Sequence, residues 1–315
     1  MARRMLMMEA IRLDQVCKSF GDVRAVTNVT ARIPAGSLYG FLGPNGAGKT
    51  TTIRMIMNIL RPDSGTIHIL GDESIERAKA RIGYMPEERG LYRKMTVAKV
   101  LRYFGQIKGV TEQDLVRRVP EWLDRLDLTA WANKRTEELS KGMQQKLQFA
   151  VTVINKPDLL ILDEPFTGLD PLNADLIKGI ILEMRKQGRT VLFSTHAMHD
   201  AEALCDSVLL INRGKVILDD TLVNLRSRRR SHTVCAEMEG DTGFIERLPM
   251  VTAVTAEANR MEICLADTAD PQQLLRAMVD RVRIQRFEVK VPSLHEIFVD
   301  LVRSSNVEDP SSRPA

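Results

Sequence analysis

The nine residues GPNGAGKTT (43–51) are the stretch of this sequence most plainly suited to chemistry. They fit the pattern G-x-x-x-x-G-K-[ST]; the apolar run LYGFL enters them and a helical pattern, TTIRMIMNIL, leaves them. Glycines in such a loop let main-chain N–H groups wrap a polyphosphate, and the positive end of the following helix adds to the attraction. Gly43, Pro44, Asn45, Gly46, Ala47, Gly48, Lys49, Thr50 and Thr51 are therefore candidates for binding a nucleoside triphosphate. Lys49 is expected to reach the β- and γ-phosphates, and the Thr50 hydroxyl to ligate Mg2+.

A pair of carboxylates closes the apolar run in LLILDEP (159–165). Asp163 is placed to hold Mg2+, directly or through water, which leaves Glu164 free to polarise an attacking water. General-base catalysis of that kind contributes a factor of roughly 10² to 10⁴. Two acids can also mark a plain solvated strand end, but the preceding apolar residues and the phosphate loop favour the catalytic reading. NKPD (155–158) spells the guanine-reading motif of GTPases, yet it precedes Asp163 instead of following it, so adenine is the expected base. His196, His199 and Asp200 in HAMHD form only a weak metal pattern, with no distant ligands to complete it.

LSKGMQQK (139–146) is a helix start of an unusual kind. Ser140 is a good N-cap, but Met143 stands where a capping box would place Glu or Gln. Lys141 and a bare Gly142 occupy the first turn, so this helix end awaits an anion from elsewhere.

Strand-like runs and helices must position these groups. IRLDQVCKSFG, VTNVTARIPAG, LYGFL and GTIHIL read as strands, with a helix expected over 50–60 and a further strand at IGYM (82–85). Residues 96–154 are helical in pattern, and Pro120 is expected to kink or divide the helix in EQDLVRRVPEWLDRL. Strands and helices then alternate through LLILD, TVLFST, SVLLIN and GKVILDD, which indicates a largely parallel sheet covered on both faces. Residues 96–154 form a helical insert in it. RSRRRS (226–231) is a candidate hinge to an α+β unit of about eighty residues. That unit has four strand-like runs and helix-like FIERL, PQQLLRAMVDR and SLHEIFVDLV, a pattern that permits a ferredoxin-like sandwich. The polar tail SSNVEDPSSRPA is expected to be disordered.

Composition sets outer limits. With 315 residues, 44% hydrophobic and 27% charged, the chain has the makeup of a globular protein, and a net charge of +4 in mixed signs does not imply nucleic acid. The four cysteines are scattered without a CxxC pair, as expected of free thiols in a reducing compartment. The apolar run near the start is too short for a signal peptide, and no stretch is long enough to cross a bilayer. A cytoplasmic location is expected.

The ordered motifs resemble those of an ABC transporter ATP-binding subunit over roughly residues 10–223. LSKGMQQK resembles the family signature, GLD (168–170) its D-loop, and His196 in FSTHAMHDAE its switch histidine. GYMPEERGLY (83–92) and PSLHEIFVDLV (292–302) resemble the subgroup of sodium-extrusion and drug-resistance exporter ATPases, whose permease is a separate chain.

The resemblance implies an α/β P-loop NTPase fold, an ABC ATPase domain at 8–223 with a helical subdomain at about 90–155. A small α+β accessory domain at 231–303 and a tail at 304–315 follow. It also implies head-to-tail pairing, as a homodimer or with a paired ABC ATPase, around two ATP with Mg2+. Each nucleotide then lies between one phosphate loop and the other subunit's Ser140 and Gly142, with Asp170 helping to join the halves. Phe20 takes the place of the aromatic that stacks on adenine, where the alternative is a core phenylalanine. His196 contacts the γ-phosphate and orients the attacking water. Glu87 stands where the family usually has glutamine, as a Mg2+ ligand and nucleotide sensor.

The implied function is ATP hydrolysis that powers an integral membrane permease, with the chain peripheral on the inner face of the membrane and export the expected direction. The alternative is a soluble ABC-type ATPase acting on nucleic acid or ribosomes. One phosphate loop, a short helical insert and no cysteine pairs argue against it, so nucleic acid is not an expected partner.

Overall fold

The computed structural model describes residues 9–71, 75–88, 90–228, 233–257, 260–266, 268–290 and 292–307. β1 (Glu9–Phe20) and β2 (Val23–Pro34) form a hairpin; β3 (Leu38–Leu42) then enters the phosphate loop and α1 (Lys49–Ile56) leaves it. β4 (Ser64–Ile69), the short α2 (Ile75–Ala78) and β5 (Ile82–Met85) lead to three helices. These are α3 (Val97–Ile107), α4 (Glu112–Arg125) and α5 (Lys141–Val153). Then come β6 (Leu159–Asp163), α6 (Pro171–Lys186), β7 (Thr190–Thr195), α7 (Met198–Leu204), β8 (Ser207–Asn212), β9 (Lys215–Thr221) and α8 (Leu222–Arg228). The chain divides into two compact units, one of positions up to Leu222 with those from Asp300 on, the other Val223–Val299.

The first unit is built on a six-stranded sheet of order β5-β6-β7-β3-β8-β9, parallel throughout except for β9. β3, β6 and β7 are buried at every position, which is why LYGFL, LLILD and TVLFST carry no polar alternation in their interiors. β2, β1 and β4 stand apart as a three-stranded antiparallel sheet. Its signature is the half-buried alternation of Val29, Ala31 and Ile33 against exposed Thr30 and Arg32. Helix α1 is shorter than the sequence pattern suggested: it stops at Ile56, and Asn58 takes a left-handed φ of +53°.

Helices α3, α4 and α5 lie in the chain between the adjacent strands β5 and β6. Trp122 meets Phe149 edge-to-face at 6.4 Å, and Gly105 lets α4 approach, because a Cβ there would lie 2.4 Å from Leu115 Cδ2. Thr111 caps α4 by accepting the Asp114 N–H at 3.2 Å. Of the two outcomes expected of Pro120, a kink or a break, the break does not occur: the helix runs through it from Glu112 to Arg125. Pro120 and Val116 both lie on the exposed side, where water can satisfy the Val116 carbonyl that the proline leaves without its helical donor.

Two cations close the far end of α5: Lys108 Nζ donates to the carbonyls of Val151 and Thr152 at 2.8 and 3.1 Å, and Arg118 to that of Ile154 at 2.9 Å. Burial pushes the Lys108 pKa down to about 8 from 10.5. Between these two values the unfolded chain holds a proton that the folded chain has lost, so stability contributed at this site rises with pH across that window. Urea unfolding is expected to show wild type gaining on Lys108→Met between pH 8 and pH 10.5; a difference that stays flat sinks the assignment.

The second unit contains β10 (Thr233–Glu239), β11 (Val251–Glu257), β12 (Arg260–Leu265), α9 (Pro271–Val279), β13 (Arg283–Val289) and the start of α10 (Leu294–Val307). Its sheet runs β11-β12-β10-β13, antiparallel at each pairing. That is the strand order of a ferredoxin-like split βαβ, with the first helix reduced: FIERL forms only a 3₁₀ turn at Ile245–Arg247. Val234, Ala236, Ile263, Leu274 and Met278 centre its core. All four cysteines are free thiols. α8 runs through Arg228, so the candidate hinge begins helical, and its residues 229–231 lie outside the described ones. Of the expected tail from 304, residues up to Val307 continue α10 and 308–315 lie outside the described residues.

Candidate active site

The sheet order decides which residues meet. β5, β6, β7 and β3 are neighbours and parallel, so their carboxyl ends deliver Glu87, then Asp163 and Glu164, then His196, then the phosphate loop to one edge. A cavity of about 250 Å³ opens there, lined by Ala25, every residue from Pro44 to Thr51, Glu87 and Glu164.

Gly48 has a φ of +108°, and a Cβ on it would lie 2.6 Å from the Ala25 carbonyl oxygen, so only glycine fits. α1 begins beyond it with no side-chain cap and no acid in its first turn, leaving main-chain donors for an anion. Lys49 is buried. Its Nζ donates to the Gly43 carbonyl at 2.6 Å and the Pro44 carbonyl at 3.2 Å, and lies 3.8 Å from Glu164 Oε1. Burial lowers the Lys49 pKa, with the carboxylates of Glu164, Asp163 and Glu87 pulling the other way.

Asp163 is fully buried. Its Oδ1 accepts a hydrogen bond from Ser194 Oγ, while Oδ2 is buried with no partner among the described residues. An orphaned carboxylate oxygen on the residue before Glu164 is a fitting acceptor for a hard cation or its water, and Thr50 and Glu87, which line the cavity with Glu164, are further oxygen donors. Glu164 holds an unusual left-handed φ of +50°, and its N–H points at both Ser194 O and Ser194 Oγ, each at 3.2 Å. Its Oε1 lies 3.0 Å from His196 Nδ1, and its Oε2 3.5 Å from Thr167 Oγ1. A carboxylate flanked by an imidazole and facing a phosphate cradle can take a proton from a water there.

Ser194 was not singled out from the sequence. The available signal was a hydroxyl directly after the apolar VLF of TVLFST, near the carboxyl end of the strand and two residues before His196.

Other expected residues lie elsewhere. Phe20, at the end of β1, is 49% exposed with the Lys18 ammonium 5.6 Å from its ring centre, so it is not a core residue. Ser140 caps α5 by accepting the Met143 N–H at 3.2 Å, and Gly142 packs beside Gly168 O, 3.6 Å from where its Cβ would be. Neither lines the cavity of its own chain. Asp170 caps α6, accepting the Asn173 N–H at 3.0 Å, and it too is absent from that lining. In NKPD, Asp158 is paired with both Arg81 and Arg189, and Asn155 Nδ2 donates to the Ala80 carbonyl, so the motif serves packing. Asp200 is held by Lys178 at 2.8 Å and His199 at 3.3 Å, apart from His196, which turns to Glu164.

Known proteins resemble this chain over most of its length. The family described as "ABC transporter" matches residues 26–167, and "ATP-binding protein DrrA1-3-like, C-terminal domain" matches 221–302. An uncharacterized ABC transporter ATP-binding protein of Bacillus subtilis (strain 168), YhaQ, is 37% identical over 292 residues, 93% of this chain and 98% of the relative. The Nod factor export ATP-binding protein I of Sinorhizobium fredii (strain NBRC 101917 / NGR234) is 34% identical, over 93% of this chain and 85% of its own. A solved structure described as an ATP binding subunit of an ABC transporter superposes with a TM-score of 0.65 at 31% identity, covering 70% of this chain and 92% of that one.

Proposed function

The chain belongs to the ABC transporter ATP-binding subunits, which hydrolyse ATP to drive transport, and we propose that it works as a head-to-tail pair of copies driving a separate permease. The observation that carries the reading is the division of the site. Lys49, Thr50, Glu87 and Glu164 line one cavity, with His196 bonded to Glu164 and Asp163 next to it in the chain, while Ser140, Gly142 and Asp170 are absent from that lining and cap or pack elsewhere. An α5 N-terminus without a carboxylate is then available to the γ-phosphate held by a second copy.

In the proposed cycle the triphosphate takes over Lys49 Nζ from the loop carbonyls and from Glu164. Glu164, released from that cation, accepts the proton of the attacking water, and His196 steadies its Oε1. Asp163 Oδ2, Thr50 and Glu87 are the residues that would hold Mg2+, which neutralises charge between the β- and γ-phosphates when bound. Phe20 offers its exposed face to the adenine. Ser194 keeps Oδ1 of Asp163 occupied, which leaves the unpartnered Oδ2 as the oxygen free to take a cation or its water. Ser194→Ala is expected to raise half-saturating Mg2+ at least about tenfold. Binding of a fluorescent ATP analogue in EDTA should stay parental, and an unchanged Mg2+ requirement sinks the role.

Among the described residues no helix is long and apolar enough to cross a membrane, so the permease is proposed as a separate chain that holds this one at the inner face of the membrane. Tyr92, half exposed and edge-on to Tyr103 at 5.3 Å, offers it an aromatic contact close to Glu87 in sequence. The Nod factor export relative supports the outward direction. The nucleic-acid alternative finds no support in these transporter relatives.

Two measurements test the reading. Specific ATPase activity is expected to climb with protein concentration at high dilution, and full activity from particles that light scattering shows to be monomers overturns the pair. Crosslinking in membranes followed by mass spectrometry is expected to recover one polytopic partner.

A further inference from the structure

Gln148 lies on α5 about two turns beyond Ser140, on a stretch buried from Gln145 to Val153 where an apolar side chain is the default. It is 4% exposed. Its Nε2 donates to the Pro86 carbonyl at 2.8 Å and to the Glu88 carbonyl at 3.3 Å, so one amide grips the chain on both sides of Glu87. Its Oε1 is buried with no hydrogen-bond partner among the described residues. An unmet buried acceptor costs about 1–3 kcal/mol, which an apolar residue of equal length avoids. Two donor bonds contribute about 0.5–1.5 kcal/mol each, so the unmet acceptor cancels most of their gain; what the amide adds is where those two bonds attach.

Three residues earlier on the same helix, Gln145 Nε2 donates at 3.1 Å to the carbonyl of Pro165, the residue after Glu164. The two amides thus fasten α5 to the segments that follow β5 and β6 and carry the cavity's two glutamates. Glu87 lines the cavity while the carbonyls flanking it face α5.

We infer that Gln148 is a positioning residue that locks the Glu87 segment to α5, so that a displacement of Glu87 by nucleotide is carried to the Ser140–Gly142 end of the helix. This rests on the sensing role of Glu87 and the shared site proposed above. A helix moves as a rod; fixing one side of it to the sensing segment moves its N-terminus, which serves the second copy's γ-phosphate.

The full-length protein is compared with Glu87→Ala, Gln148→Met and the double variant, by kcat, melting temperature, fluorescent ATP analogue binding in EDTA, and hydrogen exchange of residues 86–92. Gln148→Met is expected to melt no lower than the parent, to bind the analogue within about twofold, and to exchange residues 86–92 faster. Its kcat should fall about tenfold, as should that of Glu87→Ala. The double variant should also fall about tenfold, not about a hundredfold, because both changes act through one element. Losses that multiply overturn the inference. A slowed Glu87→Ala beside a Gln148→Met with parental kcat and exchange removes this inference alone; a parental Glu87→Ala removes the sensing role, and the inference with it.

Discussion

Glu164→Gln is expected to bind ATP normally, to release phosphate roughly 10²- to 10⁴-fold more slowly, and to accumulate as an ATP-bound dimer under light scattering. The substitution keeps the volume of the side chain and removes its basicity. The backbone that aims it is untouched, because the left-handed φ of +50° is held by the N–H contacts to Ser194. Two further effects act in the same direction. Glu164 Oε1 lies 3.8 Å from Lys49 Nζ in the nucleotide-free cavity, so its charge competes with the triphosphate for that cation, and the amide removes the competitor. The same change lightens the negative charge that two copies bring together when they close on ATP. Parental phosphate release from Glu164→Gln would remove Glu164 as the base.

Lys49→Met is expected to lose ATP affinity by about two to three orders of magnitude, the equivalent of one or two charged hydrogen bonds to phosphate. The nucleotide-free fold is expected to melt at the parental temperature or above it. The reason is the sign of the lysine's pKa shift. Burial outweighs the attraction of Glu164, Asp163 and Glu87 and holds the Lys49 pKa below 10.5. A lysine shifted down is a cation the fold disfavours: the penalty is full below the folded value and fades as pH rises through the unfolded value. Methionine fills the space without the charge. Calorimetry of ATP binding and thermal unfolding of the nucleotide-free variant separate the two effects. A melting point several degrees lower with binding intact reverses the argument.

The phosphate loop and the Asp163–Glu164 pair were legible because their chemistry is local: a loop and a strand end each declare themselves within ten residues. The parallel sheet was legible from runs such as LLILD and TVLFST, which lack alternation because both faces are buried. Whether Pro120 would break its helix was not legible, because a proline's effect depends on which side of the helix is wet, and that is fixed by packing. The separate β2-β1-β4 sheet was hidden because strand pairing is non-local, although the alternation in β2 hinted at a wet face. FIERL has helix-like composition but closes only a 3₁₀ turn between β10 and β11. Ser194 and Gln148 matter through partners some thirty to sixty residues away, Asp163 for the first and the carbonyls flanking Glu87 for the second. A polar residue inside an apolar run is the trace such partnerships leave in sequence.

The half-exposed ring of Phe20 bears on which fuel the protein accepts. Stacking on an aromatic face favours any flat heterocycle, and Asp158, the acid of the guanine-type motif, is committed to Arg81 and Arg189. On the reading proposed above, ATP is then gripped chiefly by its triphosphate, and the exposed aromatic face is what the first strand hairpin leaves for its adenine.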